Sequence, residues 1–432
     1  MNPKIFQNRW WVVVGSFLGL VVSAAPVATN TIGTFIKPVS GDLGWTRSQV
    51  TLGLAISGFT MALGSVILGR LMDRYGIRPV TLAAVVGFGV SMAAIGFTPR
   101  SLSIFTVLYA VQGFFSAGIA PLPYAKSISG IFDRERGIAL GIAIGGVGIG
   151  TVVVPQYSQT IIGMFGWRQA YVGLGLLHLI VAFPAVLFLI KEPGYGRAAQ
   201  ATPSKRTTAA SALSGIPGKT VSEALADRAF WLIMIPFITT GAILVGLNGT
   251  IVPMLTDLGM SVRMATTAVS VLGIATIAGR IFSGYLLDRI FAPYVTILFL
   301  LVPFLGVLAF GGGLNFGLPF IAAFLIGMGI GGELDLMAFL ISRYFGLRFF
   351  GALYGLLTGI FYIGAKGGPF LVNVIFEKTG SYNLVLVVAG IIFPIASLMI
   401  WRLGPYVYPV AHETVEETPE MEPLHSAPAG AK

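Results

Sequence analysis

Twelve times along this chain the sequence turns apolar for about twenty residues or more, the length a helix needs to cross a bilayer core of about 30 Å. The runs fall at about 10–38, 47–69, 79–98, 102–131, 138–162 and 168–190. A second set lies at about 230–256, 264–287, 292–312, 317–342, 352–376 and 383–402. We number them spans 1 to 12. Of the 432 residues, 55% are hydrophobic and 10% charged, whereas a soluble domain carries about 25% charged residues. The first run is too long for the apolar core of a cleavable signal and reads as a retained span.

The same composition excludes several classes. The net charge of +10 would suit nucleic acid, but the basic residues punctuate apolar segments and form no stripe, so no nucleic-acid partner is expected. The absence of cysteine removes disulfides and thiolate metal sites. The three histidines, His178, His412 and His425, are too scattered for a metal cluster, and His178, mid-span, reads as packing. No nucleophile–base set and no cofactor motif stands out, so neither an enzyme nor a cofactor is expected. Gly145-Gly-Val-Gly-Ile-Gly150 lies within a span and lacks the Lys-Ser/Thr that would follow a phosphate loop.

Lysine and arginine set the expected orientation. With both termini in the cytoplasm, 19 of these residues fall on the cytoplasmic side, 6 outside (Lys37, Arg47, Arg100, Arg168, Arg263, Lys378) and 2 within spans, the bias of the positive-inside rule. The expected organisation is an N-terminal six-helix bundle over 1–190, a cytoplasmic linker over 191–229 with Pro193, Gly194, Pro203, Pro217 and Gly218, and a C-terminal six-helix bundle over 230–402. Residues 403–432, acidic and proline-containing, read as a disordered cytoplasmic tail.

The halves repeat each other. Pro38, Asp42-Leu-Gly44 and Asp73-Arg74 match Pro253, Asp257-Leu-Gly259 and Asp288-Arg289 at an offset of 215. Gly137, Gly141, Gly145, Gly150 and Pro155 match Gly351, Gly355, Gly359, Gly364 and Pro369 at an offset of 214. Six spans per half give the repeats the same topology, the parallel arrangement in which a transporter holds its substrate between the halves near mid-membrane.

Gly69-Arg-Leu-Met-Asp73-Arg74-Tyr-Gly76-Ile-Arg78, echoed by Gly284-Tyr-Leu-Leu-Asp288-Arg289, resembles the loop 2–3 signature of the major facilitator superfamily. Gly41-Asp-Leu-Gly-Trp45-Thr-Arg47-Ser, Gly279-Arg280-Ile-Phe-Ser-Gly284 and Ser342-Arg343-Tyr-Phe-Gly-Leu-Arg348 are similar to runs in its monocarboxylate porter and oxalate/formate antiporter branch. The resemblance covers nearly the whole chain apart from linker and tail, and implies alternating access. It also implies that Arg280, in span 8, binds a substrate carboxylate, with Lys366, in span 11, matching the second cation of the oxalate transporters. Two positions depart from the branch. Asn30 stands where vertebrate monocarboxylate porters carry a proton-coupling lysine, and Thr276 where they carry an aspartate.

Residue chemistry points the same way. Arg280 lies eight residues before Asp288, about 12 Å at helical rise, and Lys366 lies fifteen after Gly351 and eleven before Glu377, roughly 22 and 16 Å. Cations at that depth cost several kcal/mol unless a cavity or partner receives them. Glu333 and Asp335 in span 10 are candidates for partner or proton carrier. Two residues apart on a helix, they point about 200° from each other, so both cannot face one cavity. Asn30, Gln112 and Asn248 on spans 1, 4 and 7 are candidate substrate contacts or helix-to-helix hydrogen bonds, and Tyr362 shares the face of Lys366 one turn away. Asp73, Arg74, Arg134, Arg136, Asp288 and Arg289 resemble the family's inner gate.

The expectation is a monomeric, multi-pass carrier of small organic carboxylates in a bacterial inner membrane. Proton-coupled monocarboxylate symport is favoured over dicarboxylate exchange with a counter-anion. A drug exporter would not call for two buried cations, and a transporter-like sensor would need a larger cytoplasmic domain.

Overall fold

A computed structural model describes residues 8–129, 131–132, 136–190, 218–311, 318–346 and 348–408. The proposed tail from 409 on, most of the proposed linker, and Arg134 lie outside the described residues, as do the side chains of Asp73 and Arg136. Among the described residues, twelve helices are long and apolar enough to cross a membrane. They run Trp10–Thr29, Arg47–Met72, Ile77–Ile95, Leu102–Ile128, Ile138–Phe165, Trp167–Leu189, Arg228–Asp257, Val262–Leu287, Ala292–Phe310, Leu318–Phe345, Phe350–Thr379 and Asn383–Trp401. The chain is an all-α membrane protein of two six-helix bundles. Buried side chains gather accordingly, one large cluster between Val12 and Ile190 and another between Ala224 and Ile400.

Local signals place the helix ends. Thr46 caps span 2 by accepting from the Gln49 backbone while the Gln49 side chain returns a bond to the Thr46 backbone, satisfying two of the four orphan donors of a helix start. Asp227 and Ser261 cap spans 7 and 8. A short helix, Val221–Ala226, with its own Thr220–Glu223 capping box, precedes span 7 within the stretch read from sequence as linker. The sequence repeat reappears as shape: Pro155 sits inside span 5 and its counterpart Pro369 inside span 11.

Span 1 is broken rather than continuous. Its helix runs Trp10–Val21, passes through a π-turn over Ala25–Thr29, and resumes over Ile32–Leu43. Pro26 has no N–H, so the Val22 carbonyl four residues earlier loses its helical donor. The chain widens, and Asn30 N–H reaches back five residues to Ala25 O at 2.9 Å. Such π-turns recur at functional sites, and this one presents Ser23, Thr29 and Asn30 to the space between the bundles.

The bundles meet tightly at the end away from the chain termini. Span 1 crosses span 7 so closely there that a Cβ on Gly33 would stand 2.9 Å from the Gly249 carbonyl, an approach only glycine permits. Span 2 packs on span 11, and span 5 on span 8. Toward the terminal end the bundles part: a Cβ at Gly141, Gly145, Gly284 or Gly355 would meet nothing within 4 Å.

Candidate functional site

A cavity of about 440 Å³ lies between the bundles. Spans 8, 10 and 11 supply its charged residues, Arg280, Glu333 and Lys366. Close backbone packing sets the first of these: a Cβ on Gly331 of span 10 would come within 2.9 Å of the Arg280 amide nitrogen in span 8. Drawn together this way, the two helices bring Arg280 Nε to 3.2 Å from Asp335 Oδ2. The N–H is not aimed at the carboxylate, and Nε makes no hydrogen bond among the described residues. The contact is a charge pairing that leaves donors of the guanidinium fork uncommitted. Tyr354, in span 11, lies within electrostatic reach of both partners.

Glu333, two residues from Asp335, points the other way round the helix, as that spacing requires, and is the one of the two acids that lines the cavity. It is buried, and Thr240 Oγ1 of span 7 donates to Oε1 at 3.4 Å. Lys366 is only 3% exposed, and its ammonium donates to Ser57 Oγ of span 2 at 3.3 Å, across the two bundles. No carboxylate pairs with it among the described residues. Tyr362, one turn earlier, lines the same cavity.

Asn30 and Asn248 also line the cavity and are bonded to each other. Asn248 Nδ2 donates to Asn30 Oδ1, and Asn30 Nδ2 to Thr151 Oγ1 of span 5, each at 2.8 Å. The Asn248 carbonyl oxygen is left without a hydrogen-bond partner among the described residues, free to accept from a ligand or a water. Gln112 does not join this group. Span 4 reaches the cavity at Ala120 and Pro121, and Gln112, a candidate for cavity contact or helix-to-helix bonding, is fully buried outside the lining. A residue's span number does not fix its rotation about the helix axis.

Among the gate candidates, Arg74 is exposed with its guanidinium 5.2 Å from the Tyr75 ring centre, and Arg289 covers the Tyr285 ring at 3.8 Å. Asp288 is exposed. None of these three forms an ion pair between the bundles among the described residues, consistent with bundles that are parted at that end.

Two further groups carry contacts beyond the packing and topology roles expected of them from sequence. His178 Nδ1 lies 2.7 Å from the Val22 carbonyl, which Pro26 leaves without a helical donor, so the imidazole supplies a donor from span 6. At the end away from the termini, Arg47 grips Asp257 through both guanidinium nitrogens, at 2.5 and 3.1 Å. Lys37 reaches the same carboxylate at 2.7 Å and Tyr382 OH at 3.0 Å. Beside them, Glu377 accepts from Ser48 N and Oγ at 2.6 and 2.7 Å, capping the start of span 2 from the opposite bundle. The offset of 215 marks Asp257 as the counterpart of Asp42, but not as the partner of Lys37 and Arg47.

Comparison with known proteins bears on this architecture. An uncharacterized transporter of the same superfamily from Escherichia coli, YhjX, is 23% identical over 84% of this chain and 88% of its own length. Monocarboxylate transporter 13 of Bos taurus is 25% identical over 69% of this chain and 66% of its own. A crystal structure of a D-xylose–proton symporter superposes with a TM-score of 0.72 at 13% identity, covering 91% of this chain and 98% of that one, a likeness of fold alone. The family model described as Major Facilitator Superfamily matches residues 17–369. The chain is a membrane transporter belonging to the Major Facilitator Superfamily.

Proposed function

We propose that this transporter carries organic carboxylates by alternating access, with Arg280 as the substrate clamp and Asp335 as the group that links binding to a proton. The observation that carries this reading is the Arg280–Asp335 pair, in which Arg280 lines the cavity and Asp335 meets it from beside the lining, held by charge but not by a formed Nε hydrogen bond. An arriving carboxylate offers the guanidinium fork the planar partner it fits best. Asp335, part-exposed and near mid-membrane, then loses its counter-charge, which favours its taking up a proton. Arg280 and Tyr354 are the groups that face it from neighbouring spans, and Glu333 shares its helix. By the distribution of lysine and arginine the terminal end is cytoplasmic, which makes the conformation inward-open.

Uptake of labelled carboxylates into proteoliposomes, with and without an inward proton gradient, tests this. The unaltered protein should accumulate substrate above equilibrium when the gradient is applied. Asp335→Asn should lose that accumulation while still exchanging labelled for unlabelled substrate. Gradient-driven accumulation that survives in Asp335→Asn removes Asp335 from the coupling role.

One observation favours a second reading, exchange of a dicarboxylate for another anion. Lys366 faces the cavity with the Ser57 hydroxyl as its hydrogen-bond partner and no carboxylate paired with it among the described residues, leaving a charge that a second substrate carboxylate could meet. On that reading Lys366→Gln abolishes dicarboxylate exchange and spares monocarboxylates. On the symport reading it lowers transport of both classes alike, by loosening the Ser57 contact between bundles.

A further inference from the structure

We propose that the substrate is an amphipathic monocarboxylate, with an aromatic or branched-chain body, rather than a compact two- or three-carbon acid or dianion. The inference rests on the carboxylate reading above and narrows it.

The charge in the cavity wall is one-sided. Arg280, Glu333 and Lys366 come from spans 8, 10 and 11, all in the C-terminal bundle. Among the described residues the N-terminal bundle contributes no Asp, Glu, Lys or Arg to the lining, and presents Met61, Ile144 and Val147 together with alanine and glycine. Its polar lining residues include Asn30 and Thr151, which are occupied in large part by one another and by Asn248. A ligand held by its carboxylate at Arg280 therefore has an apolar surface opposite its head group.

Size points the same way. At about 440 Å³ the cavity falls within the range of roughly 300–1,000 Å³ that encloses drug-sized ligands. A small acid bound at Arg280 would leave water against Ile144 and Val147, whereas a longer body would displace it. Each added methylene that reaches this wall should tighten binding about fourfold.

The test is direct binding to the purified, detergent-solubilised transporter of a graded series: acetate, butyrate, hexanoate, phenylacetate and oxalate. Affinity should climb from acetate to hexanoate by about fourfold per methylene, with phenylacetate among the tightest and oxalate among the weakest. Val147→Phe, which fills the apolar side, should reverse the order and favour the shorter acids. Affinity that is flat or falls with chain length, or oxalate binding tightest, overturns the amphipathic inference while leaving the carboxylate reading standing. Failure of every acid to bind overturns the carboxylate reading itself and this inference with it. The series on the unaltered protein decides between these results even if Val147→Phe does not fold.

Discussion

Replacing Arg280 by lysine is expected to weaken carboxylate binding by roughly 10- to 150-fold, although the charge is kept. A hydrogen bond to a charged group contributes about 1.5–3 kcal/mol, and about 1.4 kcal/mol is tenfold in affinity. Lysine replaces a planar fork by a point charge on a flexible stem, so at least one such bond is lost. The measurement is substrate affinity by counterflow in proteoliposomes. Arg280→Gln should lose more, for two separable reasons: the clamp is gone, and Asp335 is left near mid-membrane without its counter-charge. Pairing Arg280→Gln with Asp335→Asn should restore thermal stability, since neither charge is then orphaned, but should not restore binding. Recovery of transport in that double variant, or a lysine variant within about threefold of the original affinity, would remove Arg280 from the clamp role.

The bilayer explains why so much of the architecture was legible in sequence. A span must be apolar for the full thickness of the core, so twelve helices announce themselves in composition, and twin prolines such as Pro155 and Pro369 record the repeat in helix shape. Arg280 and Lys366 stood out because their depth makes them costly. What hydropathy does not encode is rotation about each helix axis and partner choice across helices. Gln112 was placed on the cavity by its span number, and packing turned it elsewhere. The bend of span 1 has a local cause in Pro26, yet the His178 nitrogen beside the freed Val22 carbonyl comes from a residue 156 positions away. Lys37 and Arg47 read as topology charges, because nothing local to either shows that Asp257 of the other bundle will lie beside them.

The Asp257 cluster yields the second large effect. Asp42 and Asp257 are counterparts at an offset of 215, and Arg168 and Tyr382 are counterparts at 214. In the N-terminal bundle Asp42 is neutralised within its own half by Arg168, with Trp167 Nε1 donating at 3.1 Å. In the C-terminal bundle a tyrosine stands in the arginine's place. Tyr382 OH can donate to Asp257 but brings no charge, so neutralisation falls to Lys37 and Arg47 of the opposite bundle. The substitution of a hydroxyl for a guanidinium thus turns an internal ion pair into a bond between halves, which holds the end away from the termini shut. Asp257 and Arg47 side chains are about one-fifth exposed, so the pair is screened less than a surface one. Asp257→Asn is expected to remove about 1.5–3 kcal/mol of closing free energy, a shift of roughly 10- to 150-fold toward opening at that end. Tyr382→Arg should act in the same direction by neutralising Asp257 from its own half, and it does so without deleting the acid. Because the chain has no cysteine, spin labels can be attached through Gly41→Cys and Asn383→Cys in otherwise unaltered protein, and pulsed electron resonance would report the distance across that end. Both variants should move the distribution to longer distances. If Tyr382→Arg instead leaves it unchanged while Asp257→Asn lengthens it, the aspartate's bond to the other bundle does not depend on its missing neighbour, and the asymmetry between the two repeats has no part in the closure.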